Sequence, residues 1–146
     1  MNETQIPALD HTIQLTNVWL KKLGEEHHLG ERHHAYSALR AVLHALRDRL
    51  TPQQAVHLAA QLPILIRGIY YEGWHIAEQP TNDRQVDEFL ARVAAELPPM
   101  FPRDALGVTN AVFDLLWKEL DPGETAKIIS TLPVPLRSLW PVVAQR

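Results

Sequence analysis

The chain has 146 residues, of which 46% are hydrophobic and 21% are charged, and its formal net charge is -3. This balance is typical of a water-soluble globular protein, and the length is sufficient for one domain with a substantial core. The slight acidity argues against a nucleic-acid partner. The absence of cysteine excludes disulfides, thiolate catalysis and cysteine-based zinc sites.

The chain lacks the hydrophobic segments that direct proteins to or across membranes. Its first residues do not show the positive stretch and apolar run of a signal peptide. No apolar run approaches the ~20 residues that a membrane-spanning helix needs. We therefore expect a cytoplasmic protein with no membrane segment.

Apolar residues recur at helical spacing from the start of the chain onward. The pattern predicts an unstructured leader over 1–8, a first helix ending at a Gly24 C-cap, and a polar turn over 25–32. Residues 33–50 give the clearest helix, with Arg47 outside its apolar stripe, which comprises Tyr36, Leu39, Val42, Leu43, Leu46 and Leu50.

Two prolines punctuate the next helices. Thr51-Pro52 is typical of an N-cap followed by the first helical residue, so a third helix is predicted there. Pro63 ends that helix and begins a fourth, which runs to Gly73. Residues 75–82 are predicted to form a linker.

The second half repeats this order of helices. An amphipathic helix is predicted to end near Leu97, followed by a proline-rich turn and a long helix whose stripe comprises Leu106, Val112, Phe113, Leu116 and Leu120. Asp121-Pro122 predicts a cap and Pro133 opens the last helix. No stretch has the alternation of a β-strand.

An ungapped offset of seventy residues relates the two halves. Eleven positions are identical, against roughly four expected by chance: Leu20/Leu90, Glu26/Glu96, Ala35/Ala105, Ala41/Ala111, Val42/Val112, Leu46/Leu116, Leu50/Leu120, Pro52/Pro122, Leu62/Leu132, Pro63/Pro133 and Arg67/Arg137. A fixed period indicates one supersecondary unit used twice. We predict an all-α fold: a single domain over 1–146 made of two tandem four-helix repeats (10–74 and 83–146) with pseudo-twofold symmetry.

Two stretches of the first half carry a family resemblance. They are YSALRAVLHALRDRL at 36–50 and AAQLPILIRGIYYEGW at 59–74. With them the chain resembles, over about 10–140, the bacterial family catalogued as domain of unknown function 2267. The resemblance implies a small helical bacterial protein and brings no assigned reaction, substrate or catalytic residue.

All eight histidines lie in the first half, and four of them flank one turn. His27, His28, His33 and His34 are a candidate metal site, with Glu31 as an oxygen donor, because neutral imidazole binds zinc, nickel and copper well. The alternative is a solvated, pH-sensitive turn, since the helical spacing of common zinc motifs is absent. His44, in mid-helix with Asp48 one turn later, is interpreted as a packing or surface histidine.

Two charged positions are identical in both halves. Arg67 and Arg137 are predicted to tie the fourth helix of each repeat to its unit, either by pairing with Glu26 and Glu96 or by bonding helix-end carbonyls. Anion binding is the alternative role for these arginines.

The most aromatic segment is 67–75. Its candidate surface for a ligand or partner consists of Arg67, Tyr70, Tyr71, Glu72, Trp74 and His75. Aromatic residues of this kind form interaction surfaces, but they also close hydrophobic cores. The two interpretations differ in whether Tyr70, Tyr71 and Trp74 are exposed.

No nucleophile–base or acid–base set emerges, and no phosphate-binding or nucleotide-binding motif is present. We therefore expect a non-catalytic protein without a cofactor, acting as an interaction or scaffold module toward a protein partner or as a homodimer. The alternative is a small-ligand or metal-binding protein that uses the His-rich turn (27–34) or segment 67–75.

Overall fold

The computed structural model describes residues 4–145, and every element of secondary structure in that range is a helix. Within that range there are eight α-helices: α1 (Pro7–Glu26), α2 (Arg32–Arg49), α3 (Pro52–Gln61), α4 (Ile64–Tyr71), α5 (Val86–Glu96), α6 (Ala105–Glu119), α7 (Pro122–Ser130) and α8 (Val134–Arg137). Short 3-10 helices follow α4 and α8, at Ile76–Glu78 and Val142–Gln145. No helix of the described chain is both long and apolar enough to cross a membrane.

The core lies around the two long central helices, α2 and α6. Helix α2 packs against α1, α4, α5 and α6, while α6 packs against α1, α5 and α7 as well. One cluster of buried side chains contains residues from both halves of the chain, from Trp19 to Ala144. The predicted stripe residues Leu39, Leu43 and Leu46 are fully buried in it.

Side-chain caps start several helices where the sequence predicts them. Thr51 Oγ1 accepts from the Gln54 amide at 3.2 Å, and Asp121 Oδ2 accepts from the Glu124 amide at 2.9 Å. Both caps precede a proline at the first helical position, whose missing N–H is not needed there.

Helix α1 is longer than predicted, and Gly24 is not its C-cap. The helix begins at Pro7 and continues to Glu26, so Gly24 lies inside it, while residues 1–3 of the predicted leader lie outside the described range. A Cβ on Gly24 would lie 2.7 Å from the carbonyl oxygen of Gly30. The glycine therefore permits close approach of the following turn.

Three side chains differ from the predicted helix faces. Tyr36 and Leu106 belong to the predicted apolar stripes but are 39% and 44% exposed. Each lies in the first turns of its helix on a different side from the buried neighbours Ala35 and Val108. Arg47, predicted outside the stripe, is buried because its guanidinium bonds to backbone carbonyls at the end of α4 and just beyond it.

The segment between the halves is fixed to the end of α2. Gln79 Nε2 donates to the carbonyls of Arg47 and Leu50, at 2.6 Å each, and its oxygen accepts from Trp74 Nε1. The Thr81 amide donates to the Asp48 carbonyl at 2.9 Å. The carbonyls left unpaired at the end of an α-helix thus find their donors in this segment.

Candidate functional site

A cleft of about 580 Å³ opens between the end of α1, one side of α6 and the C-terminal segment. Its lining consists of Glu26, His27, His28, Arg103, Gly107, Asn110, Ala111, Asp114, Ser138, Leu139, Trp140, Pro141, Val142 and Gln145. Trp140 is buried and stacks on Phe113 with ring centroids 3.9 Å apart. Its indole Nε1 has no hydrogen-bond partner within residues 4–145.

Arg103 joins the turn after α1 to the start of α6. Its Nη1 donates to the carbonyls of His27 and His28, at 2.7 and 3.2 Å. His28 adopts a left-handed backbone conformation (φ 57°), which is uncommon for a residue with a side chain. Gly107 lies so close that a Cβ there would come within 2.8 Å of Arg103 Nη2. The guanidinium is therefore held in the wall of the cleft.

A second charged group lies further along α6. Asp114 Oδ2 is 3.0 Å from His27 Nε2 and 3.1 Å from Lys118 Nζ, and Lys118 Nζ is also 4.0 Å from Glu26 Oε1. The Lys118 side chain is 56% exposed, so water screens these contacts. Both of these contacts of Asp114 are made by Oδ2.

His44 lies in a closed polar site in the first half. It is buried, its Nδ1 is 2.9 Å from Glu96 Oε2, and its Nε2 is 2.7 Å from the Ile69 carbonyl oxygen. Both neighbours are acceptors, so forming both hydrogen bonds requires hydrogen on both ring nitrogens. The i,i+4 partner suggested by the sequence, Asp48, instead accepts from Arg47 at 2.8 Å.

Arg40 and Arg47 complete this site on either side of His44. Arg47 Nη1 donates to the carbonyls of Tyr70 and Glu72, both at 2.8 Å. Arg40 Nε donates to Glu72 Oε1 at 2.8 Å, and this bond raises the pKa of Arg40 and lowers the pKa of Glu72. Two arginines and a histidine of α2 thus cover the C-terminal end of α4, where carbonyls and the helix dipole favour positive charge.

The aromatic segment 67–75 does not form a continuous surface. Tyr70 is fully buried, its hydroxyl donates to the Ala55 carbonyl at 2.9 Å, and burial raises its pKa. Tyr71 and Trp74 are half-buried and stacked, with centroids 5.3 Å apart. Glu72 and His75 are exposed. The segment therefore mostly closes the core and packs on itself.

The His-rich turn divides into two parts. His27 and His28 line the cleft, whereas His33 and His34 lie in the first turn of α2. There the ligand atoms of Glu31, His33 and His34 lie within 4.8 Å of one another, a spacing that a metal ion could bridge. Glu31 and His33 are exposed, and a cation at a helix N-terminus is disfavoured by the dipole.

Arg67 and Arg137 bond to backbone carbonyls. Arg67 Nη2 donates to the Leu62 carbonyl at 2.9 Å, and Arg137 Nε donates to the Leu132 carbonyl at 3.0 Å. The glutamates considered as ion-pair partners contact other residues: Glu96 contacts His44 and Arg40, and Glu26 lies 4.0 Å from Lys118.

Sequence reasoning does not identify Arg103, Asn110 or Asp114 as site residues. Asp114 stands out in the sequence only as the position seventy residues after His44, and that offset is the signal that could have found it. Arg103 follows a proline-rich turn that helical periodicity does not describe, so its contact with the turn after α1 is visible only in three dimensions.

Comparison with known proteins identifies the family. The family model described as "Uncharacterized conserved protein (DUF2267)" matches residues 16–139, which is most of the chain, so the chain belongs to the DUF2267 family. No curated protein matches it. The family resemblance predicted from the two quoted stretches is confirmed.

Proposed function

We propose that this DUF2267 member is a non-catalytic binding protein whose cleft takes a small polar ligand. The observation that supports this is the convergence of Arg103, Asn110 and Asp114 on one open volume of about 580 Å³. That volume falls within the range of small-molecule sites, which combine apolar walls with a few placed polar groups. Of the two candidate regions, the proposal favours the His-rich turn, since two of its histidines line the cleft and Tyr70 is buried.

We also propose that the chain is a tandem repeat of two four-helix units. Helices α2 and α6 end seventy residues apart, at Arg49 and Glu119. Arg67 donates to carbonyls five and seven residues before it, and Arg137 does the same. Equivalent bonds at equivalent positions favour a common unit over a chance similarity of sequence.

Ligand binding in the cleft is tested by NMR. A ¹⁵N-labelled sample is titrated with defined mixtures of amino acids, diamines, dicarboxylates and sugars, and shifts of backbone amides are mapped. We expect shifts clustered at residues 26–28, 103–114 and 138–145. The variant Asn110→Trp, at an exposed lining position, should abolish them, while Lys127→Trp on α7 should not. Amide shifts that persist in the Asn110→Trp variant, or the absence of shifts in every mixture, would refute the proposal.

A second candidate function is self-association through an apolar face. Ile6, Leu9 and Ile13 are exposed at helical spacing at the start of α1, at 51%, 41% and 38%. The Leu65 amide donates to Thr12 Oγ1 at 2.9 Å, which brings the exposed Ile64 and Leu65 of α4 alongside. An apolar face of this kind suits a second copy of the same surface, related by a twofold axis.

The oligomeric state tests this second function. Sedimentation velocity over a range of concentrations should show a dimer that Leu9→Glu converts to monomer. Val134→Glu, at an exposed position on α8, is the matched control and should leave the dimer intact. A monomer at every concentration would exclude the homodimer.

A further inference from the structure

We propose that the ligand of the cleft is an organic cation, an ammonium or guanidinium group that takes the place held by α2 cations in the first half. This inference rests on the proposed binding function and on the proposed repeat. Residues of the cleft correspond, at the offset of seventy residues, to those of the closed site around His44.

The closed site shows what fills this position in the first half. Side chains of Arg40, His44 and Arg47 cover the end of α4, and their nitrogens lie 2.7–2.8 Å from the carbonyls of Ile69, Tyr70 and Glu72 or from the Glu72 carboxylate. Glu96, at the end of α5, supplies a second carboxylate 2.9 Å from His44. The site is thus a set of acceptors satisfied by two arginines and a histidine.

The cleft retains acceptors at the corresponding positions but not the cations. Asn110, Asp114 and Trp117 stand seventy residues after Arg40, His44 and Arg47. Glu26 stands at the position corresponding to Glu96 and Leu139 at the one corresponding to Ile69, and both line the cleft. The three replacements remove positive charge and add one negative charge. Asn110 and Asp114 line the open cleft here, whereas Trp117 packs against the core.

One acceptor of the cleft remains available at a corresponding position. Within residues 4–145 no backbone hydrogen bond reaches the carbonyl oxygens of Ser138 or Leu139, which follow α8. A cationic donor directed at the Leu139 carbonyl would satisfy it as His44 satisfies the corresponding carbonyl of Ile69, whereas the Trp140 carbonyl, which corresponds to that of Tyr70, already accepts from Gln145 Nε2 at 2.7 Å. The carboxylate of Glu26 adds negative charge from the side of α1.

The cations already present do not occupy this place. Arg103 directs Nη1 to the carbonyls of His27 and His28 on the opposite wall. Lys118 and His27 both contact Oδ2 of Asp114, and Lys118 is mostly exposed, so a bound cation can displace it. His28 is exposed and has no acidic partner within the described chain.

Calorimetry and NMR with matched probes test the charge of the ligand. Agmatine and cadaverine are the cations, 1,5-pentanediol is the neutral analogue and glutarate the anion. N-acetyl-arginine methylamide distinguishes an arginine side chain of a peptide from a free amine. We expect saturable binding of the cations, with amide shifts in the cleft. Asp114→Asn should weaken it about tenfold or more, since one charge-assisted contact is lost.

Two further variants keep the test decisive if Asp114→Asn does not fold. Asn110→Arg restores the charge that Arg40 supplies in the first half and should abolish cation binding, whereas the neutral Asn110→Gln should preserve it. Glu124→Gln on α7 is the external control. Cleft binding of glutarate or pentanediol without the cations would overturn the charge assignment and leave the binding function standing. Binding of no probe at all would overturn the charge assignment, and the binding function falls with it only if the mixtures of amino acids, diamines, dicarboxylates and sugars also give no shifts.

Discussion

His44 Nδ1 lies 2.9 Å from Glu96 Oε2, so a buried imidazole of α2 holds the end of α5 against the first half of the chain. The same ring reaches the Ile69 carbonyl at 2.7 Å on its other side. One side chain therefore connects three helices through polar contacts. Polar groups in a buried site stabilise a fold only while every partner is present, because an unpaired acceptor retains its desolvation cost.

Replacing His44 by alanine should destabilise the protein by about 2–4 kcal/mol, since it leaves the Ile69 carbonyl and the Glu96 carboxylate without this donor and opens a cavity. Urea unfolding followed by circular dichroism measures the change. His57→Ala, at an exposed position on α3, is the control and should change stability by less than about 0.5 kcal/mol. Equal effects of the two substitutions would contradict the structural role of His44.

Two helical glycines should respond to alanine in opposite directions. A Cβ added at Gly68 would meet no atom within 4 Å, so Gly68→Ala should stabilise by about 0.5–1 kcal/mol through helix propensity. Gly24→Ala should destabilise instead, because its Cβ would meet the Gly30 carbonyl oxygen at 2.7 Å. Thermal unfolding of both variants decides the matter, and a stabilised Gly24→Ala would rule out the close approach of this turn.

The caps of α3 and α7 should contribute separately to stability. Removing either with Thr51→Ala or Asp121→Ala should cost about 1 kcal/mol, the usual effect of a lost N-cap. If the two caps act independently, the loss of unfolding free energy in the double variant should equal the sum of the two single losses within about 0.5 kcal/mol. Chemical unfolding of the three variants provides the comparison, and a negligible loss in either single variant would show that its cap is dispensable.

The acid stability of the chain should depend in part on Glu88. Its carboxylate accepts from the amides of Arg84 and Gln85, at 2.9 and 3.0 Å, which lowers its pKa below the ordinary 4.5. A depressed folded-state pKa contributes stability that is present above pH 4.5 and lost as the pH falls through the folded value. Glu88→Gln should therefore destabilise at pH 7 and converge with the parent protein in acid.

Unfolding free energies at about pH 7 and at a series of lower pH values test this dependence, because the difference between the variant and the parent protein should shrink as the pH falls. Glu25→Gln, at an exposed position, serves as the control and should follow the parent protein throughout the series. A Glu88→Gln variant that loses as much stability in acid as at neutral pH would contradict the assignment.

Local patterns allow much of the helical order to be predicted. Apolar spacing and the cap residues Thr51 and Asp121 act within a few residues, so the starts of α3 and α7 and the stripe of α2, apart from Tyr36, follow from sequence. The burial of Arg47 does not, because its acceptors at Tyr70 and Glu72 lie 23 and 25 residues away. Periodicity marks an arginine as polar and does not indicate which distant carbonyls it can reach.

The candidate site is predictable only in part, for the same reason. His27 and His28 can be identified because histidine is chemically conspicuous, but their separation from His33 and His34 depends on the backbone of the turn. In the sequence Asp114 is an ordinary helical acid. Its position in a cleft depends on how α1, α6 and the C-terminal segment pack together.

The contacts of Gln79 limit where the chain can tolerate insertions. Because this one side chain serves the carbonyls of Arg47 and Leu50, a residue added between α4 and Gln79 would shift it and expose the end of α2. The short path joining the two halves is thus under a length constraint that sequence conservation of individual residues would not reveal. Variation in length among related chains is expected to accumulate elsewhere, at surface turns whose backbone caps nothing.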